Sequence, residues 1–167
     1  MKRLILFRHG EAEDRAKSGR DFDRALTARG RADAAATGEA LATAGFVPDI
    51  ALVSTAARAR GTWEVAAASF PAARLDPRPE FYDTNPDALL AAAMAMDGFE
   101  TVMAVGHNPT LHALFHALAH ASQDAAMIGR AERGFPKGAA AAFAFDAGGV
   151  IRAEGFFPPA SARGRYG

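Results

Sequence analysis

The stretch Leu4-Ile5-Leu6-Phe7-Arg8-His9-Gly10-Glu11 decides how the rest of the chain is interpreted. Its four consecutive apolar residues are typical of a buried strand in a parallel sheet, and Arg8 and His9 follow where that strand ends. Ligands of open α/β sheets bind beyond the carboxyl ends of the strands, so Arg8 and His9 are candidate ligand contacts. Taken alone, the same two residues are equally typical of a solvated loop. The interpretation therefore depends on the partners that distant segments supply.

The composition favours an ordinary globular protein and excludes several functional classes. Half of the 167 residues are hydrophobic, and nineteen basic residues balance nineteen acidic ones, which argues against a nucleic-acid binder. Residues 2–31 nevertheless hold nine basic and five acidic residues, an excess that favours an anionic ligand near the first strand. The lack of cysteine excludes disulfides and thiolate sites. No apolar run is long enough for a membrane span or a signal peptide, so we expect a cytoplasmic protein with no membrane partner.

Three apolar stretches, each followed by a polar junction and a helical pattern, predict the core of the fold. The late residues 139–145 and 150–157 predict two more strands joined by a turn, whereas residues 122–138 give no clear pattern. We therefore expect one three-layer α/β domain over residues 1–167, with a mostly parallel central sheet flanked by helices, an antiparallel edge strand and a loose tail at 158–167. The predicted strands are 4–7, 50–53 and 101–105. The predicted helices are 28–44 with Thr27 as cap, 56–68, 86–96 with Asn85 as cap, and 109–121 with Asn108 as cap.

The ends of the three predicted strands carry matching chemistry. They end at Arg8-His9-Gly10, Ser54-Thr55 and Gly106-His107-Asn108. If the strands are parallel neighbours, these junctions lie at one edge of the sheet, and Arg58 joins them from the first turn of the following helix. Helix N-termini attract anions, and the planar guanidinium group donates to two oxygens at once. Two arginines and two histidines around a helix N-terminus predict a pocket for a tetrahedral oxyanion.

The order and spacing of four motifs between residues 4 and 110 point to a known family. The motifs are Arg8-His9-Gly10-Glu11, Leu26-Thr27-x-x-Gly30, Ser54-Thr55-Ala56-Ala57-Arg58-Ala59-x-x-Thr62 and Val105-Gly106-His107-Asn108-Pro109. Together they resemble the signature of the histidine phosphatase superfamily, also called the phosphoglycerate mutase-like family.

This resemblance implies a mechanism that needs neither a metal nor a cofactor. His9 is expected to be the nucleophile and to become phosphohistidine, which divides the transfer into two easier steps. Arg8, Arg58 and His107 are expected to hold the equatorial phosphate oxygens, where charge spreads in the transition state. Asn108 is a further candidate phosphate donor.

The residue that protonates the leaving group is the open question. Family members that cleave esters usually carry a glutamate between the second arginine and the second histidine. Here Asp83 and Glu80 are the candidates, with Asp83 the stronger one, but neither matches the usual pattern. The alternatives are that Asp83 caps the following turn and that Glu80 is a solvated loop charge. An imidazole leaving group needs less proton donation than an alkoxide, since its pKa is about 6.5.

The expected substrate follows from the unassigned general acid and from the chain length. Only 48 residues separate Arg58 from His107, which leaves no room for a large cap, and an open pocket admits a phosphohistidine displayed on a protein. The short chain and Phe135-Pro136-Lys137-Gly138 resemble the SixA-type phosphohistidine phosphatases. The leading hypothesis is thus a phosphatase acting on a phosphorylated protein in signal transduction. The alternatives are a small-molecule phosphomonoesterase acting on a small phosphate ester and a non-catalytic phosphate-binding module.

A stripe of histidines on the helix after His107 stands apart from this site. His112, His116 and His120 recur every four residues, a spacing that can bind a metal. The apolar residues of the helix supply its core face, so the sequence favours histidines that flank this face, half exposed.

Overall fold

The computed structural model describes residues 2–162 and 164, and within them six strands form one mixed sheet flanked by five α-helices. The expected α/β class, mostly parallel with an antiparallel edge, is confirmed. The strands are β1 (Lys2–Arg8), β2 (Ile50–Ser54), β3 (Arg74–Arg78), β4 (Thr101–Gly106), β5 (Ala140–Phe145) and β6 (Ile151–Phe157). The helices are α1 (Ala28–Thr43), α2 (Ala57–Ala66), α3 (Pro86–Met94), α4 (Thr110–Ser122) and α5 (Ala125–Glu132).

The sheet has the order β3-β2-β4-β1-β5-β6. Strands β1, β4, β2 and β3 run parallel, and β5 and β6 add an antiparallel hairpin beside β1. This order places β1, β4 and β2 side by side with their carboxyl ends at one edge. The expectation that the three polar junctions share an edge is therefore confirmed.

Helices cover both faces of the sheet, which explains the unbroken apolar run of β1. Leu4 and Leu6 pack with α3, α4 and α5 in one core cluster, and Ile5 and Phe7 pack with α1 and α2 in the other. Successive side chains of a strand point to opposite faces, so a strand that is covered on both sides needs apolar residues at every position.

Some boundaries differ from the sequence-based predictions. Helix α4 begins at Thr110 after Pro109, and Asn108 does not cap it. The Asn108 Oδ1 atom accepts no hydrogen bond among the described residues, whereas its amide nitrogen donates to the Phe135 carbonyl oxygen (3.1 Å). Helix α5 was not predicted, because it lies within residues 122–138, where the sequence shows no clear helical or strand pattern.

The predicted loose tail also proves partly ordered. Residues 160–162 form a 3-10 turn, and the Ser161 hydroxyl donates to the Asp33 carboxylate (2.6 Å). Residues 163 and 165–167 of that tail lie outside the described residues. None of the helices over 2–162 and 164 combines the length and apolar character needed to cross a bilayer.

Candidate active site

The two histidines predicted to belong to the site, His9 and His107, lie beside each other at the carboxyl edge of the sheet. Arg8 at the end of β1 pairs with Gly106 at the end of the parallel strand β4, so the next residue of each strand is His9 or His107. Their ring centroids are 5.0 Å apart, and both side chains are buried. The register of two parallel strands is thus what brings together residues almost one hundred positions apart in the chain.

The His9 ring is held in a defined tautomer. Its Nδ1 atom lies 2.7 Å from the carbonyl oxygen of Gly10, which can only accept a hydrogen bond. Nδ1 therefore carries the proton, and Nε2 keeps its lone pair. Burial, together with the nearby His107 ring and the charges of Arg58 and Arg8, lowers the pKa of His9 to about 3 against the opposing effect of the Gly10 hydrogen bond. At neutral pH the ring is uncharged, and the Nε2 lone pair is available.

His107 is also uncharged at neutral pH. Its Nε2 atom lies 2.9 Å from Ser54 Oγ at the end of β2, so a third strand fixes the ring. Burial, together with the charges of Arg58 and Arg8, lowers the pKa of His107 to about 4, while Asp21 opposes this effect. The Nδ1 atom is buried without a hydrogen-bond partner among the described residues. The sequence located Ser54 at the junction but did not assign it to the site.

Arg58 is the cation that the first turn of α2 directs to this edge. Its guanidinium group donates to the Asp21 carbonyl oxygen (2.8 Å) and carboxylate (3.0 Å) and stacks over the Tyr82 ring at 5.8 Å. The Tyr82 hydroxyl donates to the same carboxylate (2.9 Å), and its ring meets His107 edge-on at 5.8 Å. Asp21 and Tyr82 thus form one wall of the site with Arg58.

Sequence reasoning missed this wall. Asp21 lies in a charged loop that has no periodic pattern, and only its distant partners distinguish it from the neighbouring acids. Hydrogen bonding to Arg24 and Tyr82 and the nearby Arg58 charge lower the pKa of Asp21 to about 2. The carboxylate is therefore ionised at neutral pH.

Arg8 and the loop before β5 fix the other side. The Arg8 guanidinium donates to the Phe135 carbonyl oxygen (2.7 Å), which also accepts from Asn108. The Gly138 N–H group bonds to the carbonyl oxygens of Arg8 (3.1 Å) and His9 (3.0 Å). This loop therefore holds both the backbone and the side chain at the end of β1.

Backbone contacts from α1 and α2 explain the remaining motif residues. The Thr62 hydroxyl accepts from the Gly10 N–H group (2.9 Å) and donates to the Arg58 carbonyl oxygen (2.7 Å), linking α2 to the β1 junction. A Cβ atom on Gly30 would overlap the Glu11 backbone, so only glycine allows α1 to approach so closely. The Glu11 carboxylate itself binds Thr27 and Arg29 at the start of α1.

The two candidate acids are not joined to the histidines by any described contact. Asp83 is exposed and makes no hydrogen bond or ion pair within residues 2–162 and 164. Glu80 is exposed and accepts from Arg78 (3.3 Å). The acid role proposed for either carboxylate stays a prediction.

Comparison with known proteins gives a consistent result. The family model of the histidine phosphatase superfamily (branch 1) matches residues 4–89. A crystal structure from Agrobacterium tumefaciens, provisionally named phosphohistidine phosphatase SixA, is similar with a TM-score of 0.82 and 30% identity over 95% of this chain and 99% of that one. The fold is phosphoglycerate mutase-like.

Two further relatives are similar in sequence. A protein of Picosynechococcus sp. is 35% identical over 123 residues, which cover 70% of this chain and 72% of that protein. A chloroplast protein of Arabidopsis thaliana is 32% identical over 127 residues, 64% of this chain, and the match spans only 54% of that protein.

Proposed function

The chain belongs to the histidine phosphatase superfamily, and we propose that it is a phosphatase of the hydrolase class that dephosphorylates phosphohistidine on a protein partner. The observation that carries this proposal is the state of His9. Its ring is neutral, its Nδ1 proton is bound to Gly10, and its Nε2 lone pair lies among the charges of Arg8 and Arg58. The provisional name of the Agrobacterium tumefaciens relative supports the substrate class.

The proposed reaction has two steps. His9 Nε2 attacks phosphorus, the bond to the leaving imidazole of the substrate breaks, and that imidazole takes up a proton from solvent. Water then attacks the phosphohistidine on His9 and gives up a proton to solvent, which releases inorganic phosphate and restores the ring. Arg8, Arg58 and His107 stabilise the charge on the equatorial oxygens. Arg58 retains N–H groups for this role, since a guanidinium carries five donors and Asp21 takes up two of them.

The lack of a described acid contact at the histidines favours a P–N bond as the target. Asp83 and Glu80 have no described contact with the histidines, and the ionised carboxylate of Asp21 cannot donate a proton near pH 7. An alkoxide leaving group would need such a donor, whereas imidazole is a far better leaving group. The pocket is accordingly suited to phosphohistidine more than to an alkyl phosphate ester.

Trapping the intermediate tests the nucleophile. Brief incubation with a protein labelled on phosphohistidine should transfer the label to this chain as an acid-labile, alkali-stable adduct. The adduct should be absent in His9→Ala and should form equally in the presence of a chelator, because no metal takes part in the proposed reaction. Labelling that persists in His9→Ala would contradict the assignment.

A substrate panel tests the substrate class. We expect turnover of a phosphohistidine protein to exceed that of aryl phosphates, and that of aryl phosphates to exceed that of alkyl phosphates. If Asp83 is nevertheless the acid, Asp83→Asn should slow ester cleavage much more than P–N cleavage. Binding of phosphate without any turnover would favour a phosphate-binding module. A cytoplasmic location and a role in signal transduction stay predictions.

A further inference from the structure

A second cluster of chemically active side chains lies on the outer surface where α4 and α5 pack together. The Nε2 atoms of His116 and His120 lie 3.0 Å and 3.2 Å from the same oxygen, Oε1 of Glu132. The two rings are 4.4 Å apart between centroids, and all three side chains are half-exposed. Hydrogen bonds from His120 and His116 lower the pKa of Glu132. Two imidazoles from one helix and a carboxylate from the next thus converge on one point.

The two helices hold this arrangement firmly because their other faces are part of the core. Leu114, Phe115 and Leu118 of α4 are buried in the same core cluster as Met127 and Ala131 of α5. The turn between the helices is short and defined, with Gln123 in the left-handed region and Asp124 accepting from the Met127 N–H group (2.7 Å). Two histidines four residues apart on a helix lie on one face, so both rings point the same way.

The third histidine of the stripe has a different role. The Nε2 atom of His112 lies 3.1 Å from the carbonyl oxygen of Ala131 and links the two helices one turn before the cluster. It is not among the three residues whose ligand atoms lie within 4.8 Å of one another. His112 therefore provides a matched control on the same helix face.

We propose that His116, His120 and Glu132 form a binding site for a divalent transition-metal ion, with Zn²⁺ as the favoured ion. Imidazole nitrogen and carboxylate oxygen bind Zn²⁺ at about 2.0–2.2 Å, which separates neighbouring ligands of a tetrahedral site by about 3.3 Å. The two nitrogen–oxygen distances of 3.0 Å and 3.2 Å are already close to this spacing. Binding requires that each ring move its proton from Nε2 to Nδ1, which frees the Nε2 lone pair for the ion.

This site is distinct from the candidate active site. Helix α4 starts next to His107, and at about 1.5 Å per residue His120 lies roughly 15 Å further along its axis. Three protein ligands leave a fourth position for water or for a donor from another molecule. The bound ion would clamp α4 to α5 without entering the phosphatase reaction.

Metal binding to the whole protein tests this proposal. Competition with a chromophoric chelator should show one equivalent of Zn²⁺ per chain, and Co²⁺ should give the visible absorption of a tetrahedral site. His116→Ala and His120→Ala should each weaken Zn²⁺ binding by a factor of about ten or more. Even the loss of a residue that only hydrogen-bonds to a metal ligand typically lowers metal affinity by at least about tenfold. Glu132→Gln keeps a hydrogen-bond acceptor but removes the charge, and it should weaken binding as well.

Two control variants separate this site from other histidines of the chain. His112→Ala and His9→Ala should retain the Zn²⁺ affinity of the wild type, and Zn²⁺ should raise the melting temperature of both as it does that of the wild type. The rise should be lost in His116→Ala and His120→Ala. Equal affinity in the wild type and His120→Ala, or loss of binding in His9→Ala alone, would overturn the assignment.

Discussion

Acidification should destabilise this protein mainly through the two buried histidines of the active site. The pKa of His9 falls from 6.5 to about 3 on folding, and that of His107 falls from 6.5 to about 4. Below pH 6.5 the unfolded chain therefore binds a proton on each ring while the folded chain does not. The stability that the neutral rings contribute is complete above pH 6.5 and is lost as the pH falls towards the folded pKa values.

The size of this effect follows from the same pKa shifts. Between about pH 7.5 and about pH 5, each ring lowers the free energy of unfolding by about 2 kcal/mol, or about 4 kcal/mol for the pair. Domains of this kind are stable by only about 5–15 kcal/mol, so the loss is a large fraction of the total. Both rings are buried, with exposures of 7% and 8%, so solvent screening reduces the figure little.

Urea unfolding at about pH 7.5 and about pH 5 measures this loss of unfolding free energy. The fluorescence of Trp63, the single tryptophan, serves as the probe. His9→Asn keeps an amide donor near the Nδ1 position for the Gly10 carbonyl but cannot titrate. This variant should lose about 2 kcal/mol less than the wild type between the two pH values, and His9→Asn with His107→Asn about 4 kcal/mol less. If His9→Asn and the wild type lose the same amount, His9 titrates normally in the folded protein, and the argument for a neutral nucleophile fails.

Three further substitutions, two of them with a matched control variant, test the packing and the charges around the site. Gly30→Ala should cost about 3 kcal/mol or more in denaturant unfolding, because its Cβ overlaps backbone, whereas Gly129→Ala in the open surface of α5 should gain about 0.5–1 kcal/mol. Thr62→Val leaves a buried N–H group without its acceptor and should lower the unfolding free energy by about 1–3 kcal/mol, and Thr62→Ser should restore most of it. Asp21→Asn removes the negative charge beside Arg58, so inorganic phosphate should bind about fivefold more tightly, as measured by calorimetry. Unchanged or weaker binding would contradict the idea that the Asp21 carboxylate competes with phosphate for Arg58.

The layout of the sheet was predictable because its signals are local. The four apolar residues before Arg8 are the pattern expected of a strand that is covered on both faces. Thr27 and Asn85 are typical capping residues, and each accepts a backbone hydrogen bond at the start of its helix. The grouping of Arg8, His9 and His107 at one edge then followed from parallel pairing alone. Nothing about distant contacts was needed for that step.

What the sequence could not supply depends on contacts between distant segments. Asp21 reaches Arg58 across 37 positions, and Tyr82 reaches Asp21 across 61, with no pattern in the loop to show it. Asn108 is of a residue type that often caps helices. Its amide nitrogen instead donates to the carbonyl oxygen of Phe135, which lies in the loop before β5. Helix α5 was missed because only one of its faces, with Met127, is covered by the core.

The orientation of His9 by a carbonyl group supports the proposed role of the ring as a nucleophile. The Gly10 carbonyl fixes the Nδ1 proton without adding a negative charge, and the Gly10 N–H group is itself held by Thr62. A carboxylate in the same place would fix the ring equally well, but it would raise the pKa of His9 and stabilise the imidazolium form. That form has no lone pair, and its positive charge would cost more beside Arg8 and Arg58. A neutral hydrogen-bond acceptor is therefore the partner that keeps Nε2 reactive in a pocket whose charges are positive.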